Sequence, residues 1–330
     1  MEQDLTVIIP TAARPDYLRK ALQTVAEQLA IGRIAEVRVS ENLEDRRSEE
    51  VCAEFPKLPI NYIFRDPPLG HPRHLGRLAK EPNTTYTALL NDDDWWAPGH
   101  LLTALRALDA SPETSAWYSG TIWANDESLD YVQNHRYVCL EHFSNTKSYL
   151  DTWSFSTTSM LALCWMYAPF HWSSMVARTD ALVKSVDDLE TENAWNADRV
   201  MAARLALFGT TLFFPVPQVF VRLHDDNWAS NPEKRAQMEN ADKVWRDKAR
   251  IIAEEAGVDV LKIWKENIEK FSEKELKLIK HTFQRHYSNE ELKKLNLSEF
   301  VDSNSERLKK KIKPFAQAWC PPIVLDKLIS

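Results

Sequence analysis

A chain of 330 residues, 44% of them hydrophobic, can bury a substantial core as one large or two ordinary domains. Its formal net charge of −7 argues against a general nucleic-acid binder, which would carry a basic footprint. Cys52, Cys139, Cys164 and Cys320 lie far apart with no CxxC pair, so neither a zinc site nor a disulfide framework is indicated.

Residues 5–10 form a short β-branched run that reads as a strand. It is reached without a charged-then-apolar leader, and a cytoplasmic protein is the expectation. Leu18, Leu22, Val25 and Leu29 follow at spacings of three and four, which predicts a helix over 15–29. Residues 36–40 alternate polar and apolar side chains as a second strand, a charged helix is expected over 44–55, and 60–64 is a third strand. A helix over 72–80 and a strand over 85–90 complete a repeated β-α-β pattern. That pattern implies an α/β fold with a mainly parallel sheet flanked by helices. Ligands of such sheets bind beyond the carboxyl ends of the strands. Three ends here offer polar groups: Thr11, Glu41 and the run Asp92, Asp93, Asp94.

The aspartate run follows an apolar stretch and Asn91, and precedes Trp95, Trp96, Ala97 and Pro98. Adjacent carboxylates at a sheet edge repel one another unless a cation neutralises them. Mg²⁺ prefers oxygen ligands and is commonly shared between one or two carboxylates and a substrate's phosphates. The plainer alternative is an acidic turn capping a helix over 98–109. No GxGxxG or GxxxxGK[ST] loop occurs and the chain has only 7 glycines, so phosphate charge would fall to a metal and to positive side chains.

Farther along, Trp117, Trp123, Trp153, Trp165 and Trp172 mark an aromatic stretch whose main expected use is core packing, with some rings available to line a ligand cleft. Of Trp95 and Trp96, which adjoin the acidic run, one is expected in the core. The most apolar segment, 160–170, is shorter than the roughly 20 residues that span a bilayer. After Asn231, Lys/Glu-rich helices are expected over 238–256, 258–271 and 273–286. The basic segment 307–313 and the apolar residues up to Trp319 suit either an anionic membrane surface or a helix packed on the domain.

Several of these pieces, in their order, resemble the family 2 glycosyltransferases of the GT-A fold. They are Thr-Val-Ile-Ile-Pro-Thr at 6–11, Arg-Pro-Asp-Tyr-Leu at 14–18, residues 22–28, Gly-His-Pro-Arg at 70–73 and Leu-Asn-Asp-Asp-Asp-Trp-Trp-Ala-Pro at 90–98. Asp198, Arg204, Gly209 and Val-Arg-Leu-His at 221–224 follow. The resemblance covers about residues 4–228. It implies a GT-A-like domain over 1–230, with a donor half to about 115 and an acceptor half from 116, and leaves 231–330 as a helical C-terminal extension.

The resemblance also implies an activity: inverting transfer of a sugar from a nucleoside diphosphate donor, a UDP- or dTDP-sugar, to a glycan or lipid-linked acceptor hydroxyl in polysaccharide or glycoconjugate synthesis. Under it Asp93 holds Mg²⁺ or Mn²⁺ on the donor's phosphates, with Asp94 and His224 as further metal ligands. Asp92 reaches the ribose or the metal. Pro10, Thr11, Arg14 and Arg73 line the donor, and Glu41 takes the place of the family's base-binding aspartate. Asp198 is the expected general base, with Asp187, Asp188 and Glu192 as rivals, and Arg204 sits where the family has an arginine. Ala12 and Ala13 replace the family's usual Tyr-Asn. Asn91 stands where its first aspartate often lies, so both pairings, Asp92 with Asp93 and Asp92 with Asp94, are open. His71, His74 and His171 have no ligand spacing. A metal-dependent nucleotidyltransferase and a non-catalytic nucleotide-sugar or glycan binder would use the same crevice.

Overall fold

The computed structural model describes residues 2–297 apart from 44–45, 125–128, 132–139, 146–150, 191–196, 225–231, 274, 277–279, 281–286 and 295–296. The basic segment 307–313 and Glu192 lie outside the described residues.

Strand β1 (Leu5–Thr11) is buried along its whole length. A strand covered on both faces needs apolar residues at every position, which is why it reads as a continuous run. It pairs in parallel with β2 (Ile34–Glu41) on one side and β4 (Tyr86–Leu89) on the other, and β3 (Ile60–Phe64) pairs in parallel with β2. The crossovers are α1 (Pro15–Ala26), α2 (Arg47–Ala53) and α3 (His71–Ala79). Pro15 opens α1, where its missing N–H has no helical partner to lose, and Asp16 in the first turn suits the helix dipole. Leu18, Ala21, Leu22 and Val25 of α1 join Leu5, Val7 and Ile9 of β1 in one buried cluster.

The rest of the sheet is mixed. It is built from β5 (Trp95–Trp96), β6 (Thr114–Ala124), β7 (Leu129–Tyr131), β8 (Trp153–Phe155), β9 (Met175–Arg178) and β10 (Thr210–Arg222). The order is β3-β2-β1-β4-β9-β6-β10-β5, with β7 beside β6 and β8 beside β10. Strand β9 runs antiparallel to both β4 and β6, and β10 runs parallel to β6. Two reversals restore the original direction. Strands β1, β2, β3, β4, β6 and β10 therefore send their carboxyl ends to the same edge.

Helix α4 (His100–Ala110) lies on the α1 face, and Leu101, Ala104, Leu105 and Leu108 belong to the α1 cluster. The opposite face carries α5 (Thr157–Met166), α6 (Thr179–Ser185), α7 (Asp198–Leu205), α8 (Pro232–Glu255), α9 (Val260–Ile268) and α10 (Asn289–Lys294). Every residue of α5 from Met160 to Met166 is buried, so it shows no amphipathic period. Trp245, Ile252, Ala253, Trp264 and Leu292 of the C-terminal helices share its cluster, and Trp264 Nε1 donates to Ala162 O at 2.7 Å. The extension packs into the core of the second half. At the turn from α7 to β10, a Cβ on Gly209 would lie 2.3 Å from Glu113 O, so only glycine allows that approach. Among the described residues, no helix is long and apolar enough to cross a membrane.

Candidate active site

The shared carboxyl edge gathers residues from far apart in the chain. After β4, Leu90 N donates to Ile8 O at 3.1 Å, and a tight turn then closes with Asp94 N donating to Asn91 O at 3.2 Å. The three aspartates project from this turn into different surroundings.

Asp92 is fully buried beside β1. It accepts from Thr11 Oγ1 at 2.7 Å and from Arg14, whose Nε lies at 3.0 Å and whose second terminal nitrogen pairs with Oδ1. Burial pushes its carboxyl up to about 6, opposed by the charge of Arg14 and reinforced by that of Asp93.

Asp94 is buried on the other side of the turn. It was expected among the metal ligands, but its oxygens point into the protein. Oδ2 accepts from Ser173 Oγ at 2.5 Å and from Asn91 Nδ2 at 3.3 Å, and Oδ1 accepts from Arg222 N at 3.1 Å. Burial and the neighbouring charge of Asp93 push its carboxyl up to about 8. Ser173 also accepts from Asn91 N at 3.0 Å, so Asp94 is a strut that locks the turn to the 172–174 segment and to β10.

Asp93 faces outward, with 18% of its side chain exposed against 0% for Asp92 and 2% for Asp94. Its Oδ2 lies 2.9 Å from Arg14 and 3.4 Å from His224 Nε2. Burial opposes its charge, but the hydrogen bond from His224 and the charges of Arg14, His224 and His171 outweigh that and hold its carboxyl at about 2. Of the three, Asp93 is the carboxylate an incoming ligand can reach. Arg14, which bridges Asp92 and Asp93, stays protonated because their charges and hydrogen bonds overcome its own burial.

Two residues invisible as site candidates in the sequence complete the wall. Arg222 donates Nε to Asp93 O at 3.0 Å, and its guanidinium lies 4.8 Å from the ring centres of both Tyr17 and Trp95. Tyr17 in turn packs against His224 at 5.1 Å between ring centroids. The sole sequence signal was that Tyr17 and Arg222 fall inside matched motifs.

The other expected site residues divide into two groups. Pro10 is buried in β1, in register with Ser40. Arg73 is exposed on the first turn of α3, and His74 is buried with Nε2 2.8 Å from Ser40 Oγ. Glu41 is buried, and its carboxylate already accepts from Ala13 N, Asn42 N, Leu43 N and Ser48 Oγ at 2.6–3.2 Å, so an imide N–H meets an acceptor that local donors already occupy.

Asp198 opens α7 half-buried, accepts from Arg199 N at 3.0 Å, and adds its charge to the burial that raises Tyr118 and Cys164. It belongs to the α5 face and is not in hydrogen-bonding contact with the aspartate turn. Asp187 is exposed and pairs with Lys80 at 2.7 Å, and Arg204 lies 3.9 Å from Glu255. Trp96 is buried, with Nε1 donating to Ser173 O at 2.6 Å, while Trp95 is half-buried and stacks on Phe220. Trp117, Trp153 and Trp165 are core residues; Trp123 and Trp172 are half-buried, and Trp123 meets His171 edge-on.

A divalent cation can be tested against this donor set. No group of three or more His, Cys, Asp or Glu side chains is arranged to hold a metal among the described residues. Asp93 Oδ2 and His224 Nε2, however, are separated by 3.4 Å. Adjacent ligands of an octahedral ion with bonds of about 2.1 Å sit roughly 3 Å apart. The pair fits an ion that draws its remaining ligands from a substrate and water.

Comparison with known proteins bears on the fold and the family. Comparison with curated proteins gives no match. Among solved structures, S. aureus TarS 1-349 in complex with UDP-GlcNAc has a TM-score of 0.56 at 15% identity, over 96% of this chain and 78% of that one. A longer S. aureus TarS structure gives 0.53 at 14% identity, over 95% of this chain and 46% of that one. TarS 1-349 alone gives 0.51 at 13% identity, over 75% of this chain and 65% of that one. This chain thus spans less than two thirds of some of these relatives, and the likeness is one of GT-A fold. The model described as "Glycosyl transferase family 2" matches residues 6–170, half of the chain, taking in nearly all of β1, the aspartate turn and α5. The chain belongs to glycosyl transferase family 2.

Proposed function

We propose that the chain is a metal-dependent inverting glycosyltransferase that moves a sugar from a nucleoside diphosphate donor to an acceptor hydroxyl. The observation that carries this reading is the outward carboxylate of Asp93, set beside His224 and backed by two buried aspartates. That TarS, of the same fold, is found with UDP-GlcNAc favours a uridine donor.

Asp93 and His224 would hold Mg²⁺ or Mn²⁺, with Asp94 supporting them from behind. The ion would act as a Lewis acid that neutralises the departing diphosphate. Arg14 is placed to exchange its carboxylate partners for phosphate oxygens, and its planar fork suits two oxygens at once. Asp92 and Thr11 fix where Arg14 stands and present the ribose side of the crevice. Arg73, exposed on the first turn of α3, would add a further cation for the donor. Arg222, stacked between Tyr17 and Trp95, holds the Asp93 backbone so that the carboxylate does not drift.

Asp198 is the proposed general base, accepting the acceptor hydroxyl's proton as its oxygen attacks the anomeric carbon opposite the diphosphate. Attack from the opposite side inverts that carbon. A glycan or lipid-linked acceptor, cytoplasmic location and a role in polysaccharide or glycoconjugate synthesis complete the reading, with 1–230 as the transferase domain.

Incubation with UDP-sugars and MnCl₂ tests it. Free sugar, or a glycosylated acceptor, together with UDP is the expected outcome. Released sugar 1-phosphate, with the uridylyl group passed to water or another nucleophile, would establish nucleotidyl chemistry instead, and tight metal-dependent binding without turnover would establish a binder.

A further inference from the structure

We infer that Glu41 is a positioning residue: its carboxylate holds Ala13 in a left-handed backbone conformation that aims Arg14 at Asp92 and Asp93, and so governs diphosphate binding without reading the nucleobase. This rests on the donor reading proposed above.

Ala13 has φ +54° and is the one non-glycine residue with positive φ among the described residues. An L-residue with a Cβ adopts that region only when its surroundings hold it there. The holding contact is identifiable. Ala13 N donates to both carboxylate oxygens of Glu41, at 3.0 and 3.2 Å. Glu41 is itself fixed: it has no exposed surface, its Oε1 accepts from Asn42 N and Leu43 N at 2.9 Å, and its Oε2 accepts from Ser48 Oγ at 2.6 Å. Thr11 and Glu41 are partners in the β1–β2 register, and Asn42 N donates to Thr11 O at 3.0 Å, so the β1 exit is tied to the β2 exit at both ends.

The consequence lies one residue on. Arg14 follows Ala13 directly, and its guanidinium meets both Asp92 and Asp93. Were Ala13 to relax to negative φ, the chain would enter α1 along another path and Arg14 would leave the aspartates. A carboxylate offers about four lone-pair sites, and the donors from Ala13, Asn42, Leu43 and Ser48 use them. Nothing remains for a uracil imide. The extra methylene of glutamate over aspartate supplies the reach from the end of β2 to the backbone of the β1 exit.

The test measures calorimetric affinity for UDP, CDP and inorganic pyrophosphate, each with MnCl₂, in wild type, Glu41→Gln, Ala13→Gly and the double variant. UDP carries an imide N–H that CDP lacks, so a base-reading carboxylate shows itself in their ratio. We expect Glu41→Gln to weaken all three ligands by a similar factor of about tenfold, the equivalent of one hydrogen bond to a charged group, with the UDP:CDP ratio unchanged. Glycine adopts positive φ without penalty, so Ala13→Gly should recover part of that loss in the double variant while changing little alone. If Glu41→Gln does not fold, Ser48→Ala, which removes one hydrogen bond and keeps the charge, should lower all three affinities together by a few-fold. A collapsed UDP:CDP ratio with pyrophosphate affinity intact would overturn the inference, as would a double variant no better than Glu41→Gln. Wild type that binds none of the three would instead overturn the donor reading, and this inference with it.

Discussion

At the carboxyl edge of the sheet, three aspartates stand among Arg14, Arg222, His171, His224 and Ser173, each oriented by hydrogen bonds of defined direction. On the α5 face, Trp153, Trp165, Trp245 and Trp264 fill a cluster that extends from the second half of the sheet into the C-terminal helices. The edge is directional and partly solvated, and the interior is non-directional and dry. Changes at the edge should therefore alter binding and rate more than stability, and changes in the interior should do the reverse.

The largest effect is expected from Asp198→Asn, which cuts across this division because Asp198 opens α7 on the α5 face yet is only half-buried. Loss of a positioned base should cut transfer about 10²–10⁴-fold while UDP binding by calorimetry stays at the wild-type level. Transfer near the wild-type rate would remove Asp198 from that role.

Trp264→Ala is the matching break in the interior. It removes a fully buried ring and its bond to Ala162 O, and should destabilise the fold by about 3–5 kcal/mol in denaturant melts. Below its melting point the variant should still bind UDP with Mn²⁺.

Asp93→Ala comes next. Outer-shell partners of a metal site are typically worth 10–100-fold, so loss of a direct ligand should weaken Mn²⁺-dependent UDP binding by about 100-fold or more. Its melting temperature should change little.

Gly209→Ala forces a Cβ against Glu113 O, where the contact would be 2.3 Å. Overpacking of that kind should lower stability by roughly 1–3 kcal/mol and leave nucleotide affinity alone.

The smallest effect is electrostatic. Burial and the neighbouring charge of Asp93 push the folded Asp94 carboxyl up to about 8, so between the ordinary carboxylate range and that point the metal-free folded chain holds a proton that the unfolded chain has lost. Its stabilising contribution is complete below pH ~4 and fades as pH rises through about 8. Asp94→Asn should flatten the wild-type decline by about 1 kcal/mol between pH 6 and 7. Equal slopes in the two proteins would show that Asp94 is ionised throughout.

Much of the edge was legible before any coordinates. Thr11 and Asp92–Asp94 stand at ends of apolar runs, and residues at such ends in a parallel sheet share an edge whatever the later topology. Glu41 was legible as a strand end too, but not its long-range contacts, because Ala13 N and Ser48 Oγ reach it from the β1 exit and from α2. Ser173 escaped notice altogether. It meets Asp94 across 79 residues, and nothing in a serine's flanking sequence announces such a partner.

The second half was harder to read for a different reason. Periodicity reports which face of an element meets water, and α5, buried at every position from Met160 to Met166, has no wet face. Likewise β6 and β8 disappeared into an aromatic stretch that read mainly as core.

The sequence by itself determined the alternation of strand and helix in the first half, the acidic edge and the need for a counter-charge there. These follow from local residue order and from the mutual repulsion of neighbouring carboxylates. Only the tertiary structure decided which aspartate faces outward, which becomes an internal strut, and where Arg14 points. Those outcomes depend on the donors that distant segments bring to each oxygen, and burial assigns every carboxylate its charge only after the chain has closed around it.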